Sequence, residues 1–265
     1  MQLDQTHEGQ VKETIARIRP QVIINTAALS DVDFCEENPD AAFLVNSESV
    51  SYLATAAREA GSFLLQVSTD YVFDGEKGSY SELDPPHPVN TYGNSKLQGE
   101  RAAVFIGEGL WSIARPSVIF GWGRRYRPNA ATYVFEKLSK HEPVHMVRDQ
   151  FCSPTFNTNL AAMLVEVAER RIPGILHTAG ATRLSRHELA LKVADILGLD
   201  KKLVREAAAK DIPWKAQRPK DSSLNIVRAT TLLSHKPHAI TDALDQFRGE
   251  QNTVEKQKET VTRAA

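Results

Sequence analysis

The sequence predicts an α/β fold, a doubly wound parallel sheet carrying a smaller α+β lobe, and three observations predict it. Over the first two-thirds of the 265 residues, short apolar, β-branched runs alternate with helix-like stretches. Strand, helix, strand in that rhythm implies right-handed crossovers and a parallel sheet covered by helices on both faces. The polar, Gly- and Pro-rich connections follow the strands, at Ala28 to Pro39, Thr69 to Pro88 and Gly121 to Pro128. In open α/β sheets the ligand crevice lies at those carboxyl ends.

Gln10 to Ile18 reads as an amphipathic helix, and Gln21 to Thr26 (QVIINT) as a buried strand. Asp40 to Ala60, opened by Pro39-Asp40, reads as one long helix, and Ser62 to Ser68 (SFLLQVS) as the next strand. A helix over Thr91 to Phe105 leads to a strand at Trp111 to Ala114. After Pro128 the rhythm loosens, with helices near Thr132 to Lys140, Asn157 to Arg170 and Arg186 to Leu197, and short strands near Val144 to Met146 and Gly174 to Thr178. The expected organisation is a sheet domain over 1–128 and a lobe over 129–247 interleaved with the sheet. The charged tail, 248–265, carries almost no large apolar residue and is expected to fray.

Composition excludes several classes of function. Net charge is -1, from 32 basic and 33 acidic residues spread along the chain, which gives no field to attract nucleic acid or an anionic membrane. No apolar run is long enough for a transmembrane helix, and Met1 to Glu8 lacks the order of a signal peptide. Cys35 and Cys152 form neither a disulfide framework nor a metal-ligand spacing. They read as ordinary thiols of a cytoplasmic protein with no metal.

The sharpest local pattern is Tyr92-Gly93-Asn94-Ser95-Lys96, a Tyr-x-x-x-Lys on an expected helix. Residues four apart share a helical face, so the Lys96 ammonium can sit beside the Tyr92 phenol. A phenol titrates near pH 10, and a neighbouring cation lowers that value toward useful acidity. Alone, the pattern also fits a surface pair. Thr69, at the end of an expected buried strand, adds a hydroxyl able to bond a carbonyl oxygen; its plain alternative is a turn capped by Asp70. Asn25-Thr26-Ala27-Ala28 places small residues past another strand end, where a flat ligand or tight packing would use them.

These pieces, in this order, resemble the extended short-chain dehydrogenase/reductase superfamily, and within it the dTDP-4-dehydrorhamnose reductase family. The matching stretches are Val22 to Asn46, Ser68 to Gly75 (STDYVFDG), Pro88 to Glu100 (the YG-x-SKLQGE run), Asp149 to Thr155 (DQFCSPT) and Gln217 to Asn225 (QRPKDSSLN). The resemblance implies a Rossmann-like sheet, NADP(H) or NAD(H) as cofactor, a nucleotide-sugar substrate and, as a further implication, a homodimer. It implies Thr69, Tyr92 and Lys96 as the catalytic residues. It implies Asp4, Asn25, Ala27, Ala28, Asn46, Val67 and Ser68, with Tyr92 and Lys96, along the cofactor, and Asp70, Tyr71 and Arg218 at the substrate. The implied reaction is reduction of a C4 keto group on a nucleotide-linked 6-deoxyhexose, with Tyr92 as the proton donor.

Sister activities separate on single residues. Related dehydratases carry Asp-Glu after the threonine, where this chain has Asp70-Tyr71. Epimerases share the Tyr-Lys pair and stay open, as does a regulatory role like that of the methionine adenosyltransferase β subunit, which resembles the same fold. The family's opening Gly-x-x-Gly-x-x-Gly turn does not occur in these residues, and Met1 to Asp4 stands where its third strand would end. An N-terminally shortened chain is therefore expected, with the Val22 strand at an open sheet edge. Two more departures are Val118, where bacterial members tend to carry a sugar-stacking Trp, and Cys152, where a Gly is usual.

Overall fold

A computed structural model describes residues 3–123 and 128–263. Along the chain run α1 (Glu8–Ile18), β1 (Val22–Asn25), α2 (Val32–Glu37), α3 (Pro39–Phe43), α4 (Ser49–Ala60) and β2 (Phe63–Val67). There follow α5 (Thr91–Ile106), β3 (Trp111–Arg115), β4 (Ile119–Phe120), α6 (Ala130–Leu138), β5 (Val144–Val147), β6 (Phe151–Cys152) and β7 (Thr155–Phe156). The remainder comprises α7 (Asn157–Glu169), β8 (Gly174–His177), β9 (Leu184–Ser185), α8 (Arg186–Ile196), β10 (Val204–Ala207), α9 (Val227–Leu232) and α10 (Ile240–Arg263).

The main sheet is parallel throughout, in the order β1-β2-β3-β8. Alternation along β2 explains its two-sided burial. Leu64 packs with Val50, Ala54 and Ala57 of α4 and Ala103 of α5. Leu65 and Val67 point the other way, onto Leu160, Met163 and Val167 of α7 and Leu233 after α9. One helical layer thus lies on each face. A separate core, in which Val134, Met146, Leu189, Val193 and Phe247 meet, defines the smaller lobe. Helices α7 and α9 pack instead with β2 and β3 of the sheet.

Three details depart from the expected elements. Asp40 to Ala60 is helical but not uniform: Leu44–Glu48 forms a π-helical turn between α3 and α4. A single π-turn of five residues is too short to show a periodicity of its own. Second, Leu3 and Asp4 form no strand; Asp4 instead caps a turn, accepting from the Thr6 N–H at 3.0 Å. Third, the expected frayed tail continues as helix to Arg263, while residues 264–265 lie outside the described set, as does part of the Gly121 to Pro128 connection. As expected, β1 pairs only with β2 among the described residues, and Ile24 is 40% exposed.

Candidate active site

The site is built where β2 and β3 end against the first turns of α5. Asn90 caps α5, accepting from the Gly93 N–H at 2.8 Å and donating through Nδ2 to the Gln217 carbonyl at 2.8 Å. A Cβ at Gly93 would stand 2.1 Å from the Tyr71 carbonyl oxygen. Only glycine therefore lets α5 descend onto the turn at Asp70–Val72, and that descent brings Tyr92 to Thr69. The rings of Tyr71 and Tyr92 meet edge to face, centroids 5.9 Å apart.

Burial pushes the Tyr92 phenol well above its usual range, and the Thr69 hydroxyl beside it offsets only part of that, while Asp70, Tyr71 and Cys35 add to it. The Nζ of Lys96 donates to the Val67 carbonyl at the end of β2, 2.7 Å away. A buried ammonium needs an acceptor, and that carbonyl supplies one. Burial lowers the Lys96 pKa to about 8, opposed by the Glu100 carboxylate one turn along α5. Glu100 in turn holds Arg115 with two bonds, Nε to Oε1 at 2.8 Å and Nη2 to Oε2 at 2.6 Å.

Asp70 is 2% exposed and faces inward. It accepts from Ser222 Oγ at 2.5 Å, Ser117 Oγ at 2.7 Å and Thr69 Oγ1 at 3.1 Å. Burial raises its pKa despite those three hydroxyls. It clasps three chain segments together, and sequence patterns offered no sign of Ser117 or Ser222 as its partners. Thr69 spends its hydroxyl hydrogen on Asp70 and accepts from the Tyr71 N–H at 3.2 Å.

The residues assigned to the cofactor fall into two groups. Ala27 and Ala28 lie exposed beyond β1, and Ser68 Oγ is buried with no hydrogen-bond partner among the described residues. Asn25 and Asn46 instead organise the loop. Asn25 donates to Gln66 Oε1 at 2.8 Å and accepts from the Ala27 N–H at 3.2 Å. Asn46 accepts from the Leu29 N–H at 2.9 Å and donates to the Leu29 carbonyl at 2.9 Å and Ser95 Oγ at 3.0 Å. Asp4 is exposed and bound to Thr6, with no contact to this cluster among its hydrogen bonds.

Arg218 is tied to Asp33 at 3.0 Å and lies over the Trp214 ring, 5.2 Å from its centroid. Val118 carries φ 37°, a left-handed conformation that strains a β-branched residue. Burial drives Cys152 up to about 12 and Cys35 up to about 11, the mark of packed, unreactive thiols. No group of three or more His, Cys, Asp or Glu suited to a metal occurs among the described residues. None of the described helices is long and apolar enough to cross a membrane.

Comparison with known proteins adds independent findings. The family model described as RmlD substrate binding domain matches residues 1–252. A dTDP-4-dehydrorhamnose reductase of Aggregatibacter actinomycetemcomitans is 34% identical over 259 residues, covering 93% of this chain and 87% of the relative. Methionine adenosyltransferase 2 subunit beta of Bos taurus is 33% identical, over 84% of this chain and 68% of the relative. The crystal structure of the Bacillus anthracis dTDP-4-dehydrorhamnose reductase in complex with NADP superposes with a TM-score of 0.87 at 29% identity, covering 94% of this chain and 87% of that one. Family model, sequence relative and superposed structure agree, and the chain belongs to the RmlD substrate-binding-domain family, a dTDP-4-dehydrorhamnose reductase-like branch of the extended short-chain dehydrogenases/reductases.

Proposed function

We propose that this protein reduces the C4 keto group of a dTDP-linked 6-deoxyhexose with NADPH or NADH. The observation that carries the reading is the convergence of Thr69, Tyr92 and Lys96 at the carboxyl end of β2, in a family whose solved member binds NADP. The residues present fit such a cofactor. Ser68 Oγ is a buried polar atom without a partner, Lys96 Nζ uses one of its three donors on Val67, and the small side chains of Ala27 and Ala28 line the approach. Bound there, a nicotinamide supplies the hydride.

The chain's own part is acid catalysis and positioning. Tyr92 donates its phenolic proton to the oxygen of the reduced carbonyl. Lys96, charged below about pH 8, stabilises the phenolate left behind. Thr69 holds the phenol and, through Asp70, is itself held to the β3 and Ser222 segments. Tyr71 and Arg218 are the proposed sugar-side residues, with Asp70 turned inward behind them as a support, and the sheet domain over 1–128 and lobe over 129–247 would enclose substrate between them.

The test is oxidation of NADPH or NADH by the purified protein with dTDP-4-keto-6-deoxyhexose, followed at 340 nm. Turnover that disappears in Tyr92→Phe supports the reading, and no turnover with either cofactor overturns it. A second reading is a regulatory subunit, favoured by the likeness to methionine adenosyltransferase 2 subunit beta. It predicts altered kinetics of a catalytic methionine adenosyltransferase on mixing, unaffected by Tyr92→Phe. A cytoplasmic location accords with two buried, unpaired thiols. The homodimer follows from the family alone, and sedimentation velocity tests it.

A further inference from the structure

Tyr71 has a hydrogen-bonding environment that reduction of a ketone does not by itself require. Its phenolic oxygen accepts from Gln150 Nε2 at 3.2 Å. The orientation of that amide is set independently, because the same Nε2 lies 3.5 Å from the Pro219 carbonyl, an oxygen that can only accept. The Arg186 charge acts on the same phenol, and a guanidinium too has only donors.

Arg186 is fixed there by local structure. It is the first residue of α8, behind the capping box of Ser185 and Glu188, and its N–H donates to the Gln150 carbonyl at 3.2 Å. Unlike Arg183, paired with Asp221, and Arg218, paired with Asp33, it has no carboxylate within ion-pair distance among the described residues. Its charge is directed instead at Tyr71, Asp70 and the Cys152 thiol. The nearby carboxylate of Asp70 already takes three hydroxyls.

A phenol whose oxygen faces a cation and an amide N–H turns its own O–H away from both. The Tyr92 ring stands edge to face with the Tyr71 ring, centroids 5.9 Å apart. We propose that Arg186 and Gln150 are positioning residues that hold Tyr71 as a one-way hydrogen-bond donor to an oxygen substituent of the substrate's sugar ring. The role rests on the reductase reading above and adds to it two residues from the lobe that no motif marked. Through them the lobe would set which hexoses enter, while Tyr92 acts on the carbonyl.

Two experiments separate this from the reading beneath it. The first needs no substrate: a double-mutant cycle on urea stability with Tyr71→Phe and Arg186→Met. The expected result is coupling, with Arg186→Met costing much less once the phenol is gone; strict additivity overturns the pairing. The second measures steady-state kinetics with dTDP-4-keto-6-deoxyhexose. Tyr71→Phe and Arg186→Met should each raise KM about tenfold, the worth of one lost hydrogen bond, and more than they lower kcat. The double variant should match Tyr71→Phe alone, and Arg186→Lys should recover part of the loss. A further tenfold rise in the double variant would mean that Arg186 binds substrate itself, which overturns the positioning role. If the wild-type protein turns over no such sugar, the reductase reading fails, and the stability cycle alone decides whether Arg186 holds Tyr71.

Discussion

Burial makes the Lys96 ammonium easier to deprotonate and the Tyr92 phenol harder to ionise. Both shifts matter for an acid catalyst: the proton stays on Tyr92 until the substrate oxygen calls for it, and Lys96 must be charged to stabilise what remains. Lys96 loses its proton near pH 8, so activity should fall on the alkaline side of that value. In a kcat/KM profile, Lys96→Arg should move that limb upward, because a guanidinium stays charged; an unmoved limb would assign it to another group. Tyr92→Phe should lower kcat by about 10² to 10⁴-fold with an unchanged circular dichroism spectrum. Tyr92 and Lys96 were legible from four-residue spacing and from family likeness. The turn of Lys96 toward Val67 was not, because it depends on a carbonyl 29 residues away in sequence.

At the scale of elements, α5 is docked through its glycines. A Cβ at Gly99 would come within 2.2 Å of the Asn46 carbonyl oxygen in the π-helical turn, a backbone atom that cannot swing aside. That contact is what lets Asn46 reach Ser95 and Leu29 together. Gly99→Ala should therefore destabilise the fold by about 1–3 kcal/mol, read as a lower urea midpoint at unchanged slope. It should also weaken activity by displacing Lys96, one turn before it. The helix over Thr91 and the strand over Ser62 were readable in sequence because their stripes and alternation are strong. The π-helical turn was hidden inside one continuous pattern, and the clasp by Ser117 and Ser222 joins segments about a hundred residues apart that share no local signature.

Across the whole molecule, the carboxyl ends of β2, β3 and β8 converge on buried ionisable groups that must fold together. Arg115, 2% exposed, is paired to Glu100, and His177 stands at the end of β8 with its Nδ1 3.2 Å from the Asn225 carbonyl. Burial, with the Arg115 charge, lowers the His177 pKa to about 3 from an ordinary 6.5. Below pH 6.5 the unfolded chain takes up a proton that the folded chain refuses, so stability falls as pH drops from about 6.5 toward 3. Denaturant titrations at a series of pH values should show this loss, and His177→Asn, which keeps a donor for the Asn225 carbonyl, should flatten that part of the curve. An equal slope in the variant would place the proton uptake elsewhere.

The sequence by itself determined the α/β class and the succession of strands and helices, and through family likeness it marked Thr69, Tyr92 and Lys96 as candidates. Those features rest on local periodicity and on motifs that lie within a few residues of each other. Tertiary structure alone decided that Asp70 faces inward, that Lys96 reaches β2, and that Arg186 and Gln150 meet Tyr71. Each of those outcomes is set by which polar groups are buried side by side. Burial makes a partner obligatory, while only the packing of distant segments determines which partner is there.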